Sequence, residues 1–539
     1  MRKWLPLTAV CLGAFMLLVD VTIVTVALPD MSADMASDTS FGGFAGLQWV
    51  MDVYALALAA LLLGAGSLAD RIGRRRVYLV GLGLFAAASL ACGLATGPAE
   101  LIAFRAVQGI GGAAMFATTM ALLTASYQGR DRGVAFGVWG AVNGAAAAAG
   151  PIIGGLLTEH FGWRWIFFIN LPVSALAVYV TLKAVAESRT PHAGRLDLPG
   201  MATFTAAATA VTYAVIRVGE NGWGSPTTLG LLGLGVAAFA AFVLVELRST
   251  RPMLDLSLFR SRTFVAVMAA GLLLSGAAFS YLMYVSLWLQ SAEGMSPVGA
   301  GLVLLPLSAA GFVVAAVAGR LLHAVPPRLT IGGGLLLIGF GALLQAWMLD
   351  AGDGWTALVP GLLVTGVGVG AATPALAATA MGAVAPARAG MAGGALNTAR
   401  QLGTALGIAV LGVVFHAGLR SGLGEGGRGL AEPLASGGAG QVLAEAPSGA
   451  AREALTGLVE AAFASGLRET FLVSAAMGLA GAAAVFLLLR GGTPAAAAPL
   501  PRPRTRSTGA QDRRGHRPYG TEAVRGETVR RAVRLGPHG

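Results

Sequence analysis

Apolar stretches of about 20 residues recur along nearly the whole 539-residue chain, and this recurrence restricts the possible folds more than any other feature. A stretch of this length is long enough to cross the hydrocarbon core of a bilayer as a helix. The composition agrees, because 55% of the residues are hydrophobic and only 12% are charged, roughly half the charged fraction of soluble domains. Continuous rather than alternating apolar runs favour helices over a barrel. The sequence therefore predicts an all-α polytopic membrane protein.

Hydropathy predicts fourteen transmembrane helices. They lie near residues 5–28, 47–66, 77–96, 99–125, 133–157, 164–184, 199–217, 226–246, 264–289, 298–322, 329–349, 356–383, 391–415 and 467–489.

These spans suggest an internal organisation. Residues 1–187 are predicted to form an N-terminal six-helix bundle, and residues 263–490 a C-terminal one. Residues 188–262 hold the two additional spans, and residues 491–539 form a basic tail whose Pro, Arg and Gly content predicts disorder. Paired six-helix bundles are typical of alternating-access transporters.

The long segment at 416–466 is predicted to be an external loop of the C-terminal bundle. Its Gly-rich start indicates flexibility, while Ala451–Ser465 has the pattern of a short amphipathic helix.

Loop charges predict the orientation in the membrane. Every second loop is basic, and these loops carry Arg71 to Arg76, Arg130 and Arg132, Lys183, Arg189 and Arg195, Arg248 to Arg262, Arg320 and Arg328, and Arg388. The charged residues of the intervening loops are mainly acidic. By the positive-inside rule both termini are cytoplasmic, and we expect a multi-pass protein of a bacterial plasma membrane. Residues 490–539 account for +8 of the formal net charge of +11, which favours a tail near anionic lipid over nucleic-acid binding.

Asp20 is the most informative single residue, because it lies within the first predicted span. An ionised carboxylate in hydrocarbon is costly, so Asp20 must face a cavity or a partner, or be protonated. Arg105 in the fourth span is the expected partner. A rise of 1.5 Å per residue places Asp20 about 13 Å and Arg105 about 9 Å from the outer ends of their spans. Because arginine keeps its proton, Asp20 would be the titrating group. A fixed, purely structural salt bridge remains the alternative.

Two further sequence patterns, in the loop after the second span and at the end of the fifth span, are informative because of their residue spacing. The loop after the second span contains Gly66, Asp70, Arg71, Gly73 and Arg74, and its glycines permit a sharp turn and close helix approach. On charge alone it could simply be a topogenic basic loop.

The fifth span ends in Gly150, Pro151, Gly154 and Gly155. Small residues let helices approach closely, and proline interrupts the helical hydrogen-bond ladder.

Several other polar or aromatic residues are candidates for a substrate pathway. They are Thr22, Asn143, Tyr284, Asn397, Arg400 and Gln401. Arg400 could instead make a structural bond to a carbonyl group. The aromatic and methionine residues of the ninth span, Phe279, Tyr281, Met283, Tyr284 and Trp288, could line a lipophilic pocket, although core packing is the simpler interpretation. No metal-ligand spacing and no phosphate-binding loop are present, so we expect no metal, no cofactor and no enzymatic activity.

Taken together, these motifs resemble those of the major facilitator superfamily, specifically its fourteen-span drug:proton antiporters. The stretches around Asp20, Asp70, Arg105 and Gly150 correspond to four successive motifs of that branch. Further similarity lies in Gly162 to Pro172, Arg195 to Gly200, Leu256 to Arg260 and Asn397 to Gly403. The family usually has Asn where Thr25 stands and Gly where Ala146 stands. The resemblance covers roughly residues 5–490.

The resemblance implies roles for the motif residues. Asp20 would take part in proton coupling, Arg105 in proton transfer, the Asp70 loop in the conformational switch, and the fifth span in preventing leak. The expected function is proton-driven efflux of lipophilic drugs or antibiotics, with a small molecule, protons and the bilayer as partners, no nucleic acid, and a monomeric state.

Three alternatives remain open from the sequence. One is a dedicated exporter of a single self-made natural product, and another is a proton-coupled importer, which the Gly150–Pro151 pattern disfavours. The third is a receptor or membrane enzyme, for which a catalytic cluster and a folded extramembrane domain are lacking.

Overall fold

A computed structural model describes residues 2–35, 44–188, 197–249, 252–321, 325–384, 389–444 and 449–489. Among these residues every regular element is a helix. The N-terminal helices are α1 (Leu5–Asp34), α2 (Phe44–Ile72), α3 (Arg74–Leu94), α4 (Pro98–Ser126), α5 (Gly129–Phe161), α6 (Trp165–Phe168) and α7 (Asn170–Ala184). The predicted tail at 491–539 lies outside the described residues.

Two α-helices follow, and nine more lie in the remaining described residues. The intermediate pair is α8 (Leu198–Asn221) and α9 (Pro226–Arg248). The C-terminal set is α10 (Arg262–Phe279), α11 (Leu282–Ser291), α12 (Pro297–Leu321), α13 (Pro327–Met348), α14 (Val359–Gly382), α15 (Ala389–Gly427), α16 (Ala431–Ala435), α17 (Ala439–Ala444) and α18 (Ala450–Leu488).

The helices are long and apolar, as the hydropathy predicts. Within the described ranges, twelve helical segments are long and apolar enough to cross a membrane. Two further helices are of similar length: α2, whose apolar part is the shorter stretch Gln48–Leu62, and α5, which has 33 residues. The fold class is therefore confirmed, while the count of fourteen spans remains a prediction.

Some helix boundaries differ from the predicted ones. The first span continues through Pro29 to Asp34, and the ninth is divided into α10 and α11 around Ser280. The sixth is divided into α6 and α7, so that Asn170 begins α7 rather than lying inside a continuous helix.

The flexible start predicted for the 416–466 loop is wrong. Helix α15 runs on to Gly427, with one non-helical residue at Gly424, and α18 already begins at Ala450. Gly424 bends the chain, with a φ of 64°, whereas Gly418 lies at a close contact, because a β-carbon there would lie 2.7 Å from Cα of Gly466. The predicted helix at 451–465 is present as the first part of α18.

The hydrophobic core is organised differently at the two ends of the bundle. The end where α1 begins and α18 finishes is called here the terminal end, and the opposite one the distal end. At the distal end, residues of α1, α2, α11, α12, α15 and α18 share one cluster. At the terminal end, one cluster belongs to α1–α5 and α7, and a separate one to α10, α13–α15 and α18. The two sets of helices thus share one apolar core distally and have separate apolar cores toward the terminal end.

The most extensive direct contacts between the bundles are those of α5 with α12 and of α2 with α15, and α1 also contacts α11. Helix α8 packs against both α2 and α15, beside the second connection, whereas α9 packs mainly on α8.

Candidate functional site

The buried centre of the N-terminal bundle is an ion pair between Asp20 on α1 and Arg105 on α4. Oδ2 of Asp20 accepts a hydrogen bond from Nη1 of Arg105 at 2.7 Å, and both side chains are essentially inaccessible, at 0% and 1% exposure. The other carboxylate oxygen, Oδ1, accepts from Nε2 of Gln108 at 2.9 Å and from Nδ2 of Asn170 at 3.0 Å. The carboxylate therefore has both a compensating charge and a complete set of donors.

Arg105 is equally well satisfied. Its Nη1 also donates to Oε1 of Gln108 at 2.8 Å, and its Nε donates to the carbonyl of Val50 on α2 at 3.2 Å. The guanidinium lies over the ring of Tyr54, 4.3 Å from its centroid. Burial of such a pair is tolerated because hydrogen bonds replace the lost hydration of both ions.

Ser89 on α3 completes the network. Its Oγ donates to the carbonyl of Phe167 at 2.9 Å and accepts from Asn170 at 3.0 Å and from Gln108 at 3.3 Å. The sequence reasoning missed Gln108, Asn170 and Ser89 as site residues. Gln108 could have been found, because it follows Arg105 by three residues and so lies on the same helix face. No pattern in the sequence around Ser89 indicates a role in the site, because Ser89 reaches the polar network only when α3 packs on α4.

The glycines at the end of α5 let this helix pack between α1 and α12. A β-carbon on Gly150 would overlap with Thr22, and one on Gly154 would lie 2.9 Å from the carbonyl oxygen of Ile23. A β-carbon on Gly155 would lie 2.5 Å from Cα of Val298 on α12. The carbonyl of Pro151 faces Gly301 of α12 in the same way. This segment therefore joins the helix that carries Asp20 to the other bundle.

The loop between α2 and α3 is tied to the segment after α7. Gly73 has a φ of 121°, a conformation that favours glycine. The Glu187 carboxylate accepts hydrogen bonds from the backbone N–H groups of Arg75 and Arg76, at 3.1 and 3.2 Å. A carboxylate at a helix N-terminus is favourable because it satisfies free N–H groups. The guanidinium of Arg75 also donates to the carbonyl of Leu182 at 2.8 Å.

The other loop residues are less informative. A β-carbon on Gly66 would make an ordinary contact with Ala117 at 3.9 Å, Arg71 is exposed, and the N–H of Arg74 donates to the carbonyl of Ser188. The side chain of Asp70 lies outside the described residues, so its proposed role in the switch stays a prediction.

The candidate pathway residues lie on four helices, α1, α5, α11 and α15. Thr22 is half-buried and its hydroxyl donates to the carbonyl of Leu18 at 3.0 Å. Asn143 on α5 is half-buried, with no described partner for its Oδ1. Asn397, Arg400 and Gln401 are half-buried on α15, and the Arg400 side chain packs near Gly271 of α10.

Tyr284 instead lies in the distal closure between the bundles. Its Oη donates to the carbonyl of Ile408 on α15 at 2.5 Å and accepts from Nε2 of Gln48 on α2 at 3.1 Å. The neighbouring Tyr281, Met283 and Trp288 are also buried in the shared distal core. The aromatic residues of the ninth span therefore pack the core here and do not line an open pocket.

Comparisons with known proteins agree with this architecture. Residues 10–408 match the Major Facilitator Superfamily. The multidrug resistance protein Stp of Mycobacterium tuberculosis is 37% identical over 416 residues, covering 77% of this chain and 76% of that protein. The tetracenomycin C resistance and export protein of Streptomyces glaucescens is 37% identical over 426 residues, with 77% and 76% covered. The methylenomycin A resistance protein of Bacillus subtilis is 36% identical over 417 residues, with 76% and 87% covered.

Solved structures support the same fold. A bacterial homologue of the human lysosomal transporter Spinster, in an inward-facing and unoccupied conformation, superposes with a TM-score of 0.61 at 18% identity. The match covers 90% of this chain and 97% of the other. The human organic anion transporter MFSD10 gives a TM-score of 0.58 at 15% identity, covering 90% and 99%. This chain is thus a multi-pass transporter rather than an enzyme, and it belongs to the Major Facilitator Superfamily.

Proposed function

We propose that this protein exports lipophilic drugs or antibiotics across a bacterial plasma membrane in exchange for protons. The direction and the class of substrate are supported by the relatives, which are named for multidrug resistance, tetracenomycin C resistance and export, and methylenomycin A resistance. The observation that carries proton exchange is the Asp20–Arg105 pair, a carboxylate held at the centre of a bundle by a cation that cannot itself titrate.

The arrangement of the bundles suggests which state this is. If the basic loops mark the cytoplasmic side, the terminal end faces the cytoplasm, and the separated cores at that end correspond to an inward-facing transporter. In that state the Asp20 carboxylate is bonded to Arg105, Gln108 and Asn170, an arrangement that fits the step after proton release to the cytoplasm. Protonation from the outside would weaken the pair, because a neutral acid gains much less from a buried guanidinium.

Coupling through helix movement is favoured over direct competition between proton and substrate. Asp20 is fully buried inside one bundle, and its described polar partners all belong to that bundle. The next turn of α1 carries Thr22 and Ile23, which pack on Gly150 and Gly154 of α5. Since α5 also contacts α12, a shift of α1 reaches the other bundle without substrate touching the acid. The membrane potential supplies roughly 2.3 kcal/mol per charge per 100 mV to drive the cycle.

A dedicated exporter of one natural product is the second candidate. It is favoured by relatives named for a single antibiotic, tetracenomycin C or methylenomycin A. The two candidates share the same mechanism and differ only in the breadth of substrates.

Drug-induced proton efflux from everted vesicles tests the proposal. We expect some lipophilic antibiotics to collapse an imposed pH gradient with the wild type and not with Asp20→Asn at equal expression. Asp34→Asn is the matched control, because Asp34 lies on the same helix and also pairs with an arginine, Arg164 at 2.6 Å, but is about half exposed. Equal responses from Asp20→Asn and the wild type would exclude Asp20 from coupling. A response to one compound alone would favour the dedicated exporter.

A further inference from the structure

Three helices from the three parts of the chain meet at one place: α2 of the N-terminal bundle, α15 of the C-terminal bundle and α8 of the intermediate pair. Two small apolar clusters define this three-helix junction. The one nearer the terminal end contains Ala55, Leu56, Ala208, Leu402 and Ala405, and the more distal one contains Trp49, Val215, Ile216, Ala409, Val410 and Val413. Trp49 contacts both clusters, so they form one continuous apolar contact along the helices.

Asp52 lies inside this junction. On α2 it follows Trp49 by three residues and precedes Leu56 by four, which places all three on one helix face. It is 0% exposed. In the described part of the chain neither of its carboxylate oxygens has a hydrogen-bond partner. Asp20, by contrast, accepts three hydrogen bonds and pairs with Arg105.

Thr212 on α8 lies across the three-helix junction from Asp52 on α2. It follows Ala208 by four residues and precedes Ile216 by four, so it faces the same junction at the level of Asp52. Thr212 is also 0% exposed, and its hydroxyl oxygen has no partner among the described residues. The facing part of α15, residues 402–409, contains no titratable side chain. An acid and a hydroxyl group thus share an otherwise apolar junction.

No described cation makes an ion pair with Asp52, although charged or titratable groups lie on most of the surrounding helices. Arg105 of α4 and Asp20 of α1 are engaged with each other. Arg217 of α8 lies over the ring of Tyr213, 5.7 Å from its centroid, more than one turn toward the distal end. On α15, Arg400 packs near α10. Tyr284 of α11 is bonded to Gln48, one turn distal of Asp52 on α2.

An ionised carboxylate without a partner is strongly disfavoured in such surroundings, whereas the neutral acid can be accommodated. We propose that Asp52 is a second proton-binding site, and that its protonation holds the three-helix junction closed. The proton comes from water on the outer side and binds a carboxylate oxygen of Asp52. Loss of the proton requires water to enter, which separates α2 from α8 and α15.

The position of the site links its proton to the distal closure. One turn distal of Asp52, Gln48 donates to Tyr284 and, at 3.3 Å, to the carbonyl of Ile408 on α15. Junction closure by a protonated Asp52 therefore favours the same state as the Gln48–Tyr284 contact. The inference relies on the alternating access of the proposed function, but not on Asp20 being the coupling acid.

Infrared difference spectroscopy tests the proton directly, using the full chain in lipid nanodiscs over a range of pH. We expect a carbonyl band of a protonated carboxylic acid in the wild type, lost in Asp52→Asn and shifted in Thr212→Val. Glu246→Gln is the matched control, because Glu246 is a second buried acid with one unpartnered oxygen among the described residues. It should leave the Asp52 band unchanged. A spectrum in which Asp52→Asn removes no such band at any pH would overturn the proposal.

Distance measurements test the consequence for the distal end. Spin labels on Ala99→Cys and Ala351→Cys occupy exposed distal positions of the two bundles, while the native Cys11 and Cys92 are buried. A short distance between the two labels corresponds to a closed distal end, and we expect acidification to shift the wild type toward it. Asp52→Asn should show the short distance at every pH. Asp20→Asn should keep the pH dependence of the wild type. A wild-type pH response in Asp52→Asn would overturn the role in closure. Failure of drug-induced proton efflux with the infrared band intact would instead contradict the proposed function alone.

Discussion

A β-carbon on Gly150 of α5 would overlap with Oγ1 of Thr22 on α1. Thr22 is two residues beyond Asp20, so a close approach of α5 to α1 occurs within one turn of the buried ion pair. The same part of α5 packs on α12 through Gly155. Helix α5 therefore lies between the helix that carries Asp20 and the contact of the two bundles.

We expect Gly150→Ala to abolish most transport while costing about 1–3 kcal/mol of stability, the usual range for an overpacked core. The measurement is drug efflux from cells together with the thermal unfolding of the purified protein. Gly83→Ala is the control, because the corresponding β-carbon on α3 would meet nothing within 4 Å. Thr22→Ala should partly restore the activity of Gly150→Ala. No rescue would indicate that the defect does not arise from the contact with Thr22.

Arg105→Gln should destabilise the protein by about 3–5 kcal/mol, because it leaves the buried Asp20 carboxylate without its counter-ion. The double variant Asp20→Asn with Arg105→Gln should recover most of this stability but no proton exchange. Thermal unfolding in detergent measures the first effect and vesicle proton efflux the second. A double variant no more stable than Arg105→Gln would contradict a direct energetic coupling between the two residues.

Glu187→Ala should destabilise the start of α3 by about 1 kcal/mol, a typical value for the loss of a helix cap. Hydrogen–deuterium exchange of the α3 N-terminus measures this effect, since the N–H groups of Arg75 and Arg76 lose their acceptor. Gly73→Ala should be more harmful, because it combines a strained φ with contact to the Glu187 carboxylate. Unchanged exchange in Glu187→Ala would exclude capping by this carboxylate.

The environment of Glu293, between α11 and α12, should make the stability of the protein depend on pH. Burial, and then the nearby Glu460, raise the pKa of the Glu293 carboxyl above its usual value. The neutral acid is therefore favoured by folding, and its contribution is lost as pH rises through the folded-state pKa. We expect Glu293→Gln to raise the unfolding temperature at pH 8 and to change it little at acidic pH. Glu453→Gln, at an exposed position of α18, is the control. A Glu293→Gln effect that is equal at both pH values would contradict the linkage.

Much of the Asp20 site follows from the sequence. The sequence indicates that the carboxylate in the first span needs a partner and that Arg105 lies at a comparable depth. The structure confirms that the two side chains are in contact. Their roles in proton coupling and proton transfer remain predictions. Ser89 and Asn170 could not be assigned in this way, because their involvement depends on how α3 and α7 rotate against α1 and α4.

Glycine-rich sequence was a poor guide to flexibility. Between residues 416 and 427, Gly418 and Gly422 permit close packing of α15 on α18; a β-carbon on Gly422 would lie 2.7 Å from Cα of Ala462. A glycine pattern alone does not distinguish a flexible linker from a close helix crossing, because both use the missing side chain.

The sequence alone determined the all-helical membrane fold, since long apolar runs have few ways to satisfy their backbone in lipid. It also identified Asp20 and Arg105, because an ion in an apolar span must be compensated. Only the tertiary structure decided that the distal end is closed and the terminal end divided between two cores. The tertiary structure also distinguishes Asp20, whose charge is balanced by Arg105, from Asp52, which has no ion-pair or hydrogen-bond partner among the described residues. Both are aspartates in apolar spans, and the difference lies in the side chains that other helices bring to them.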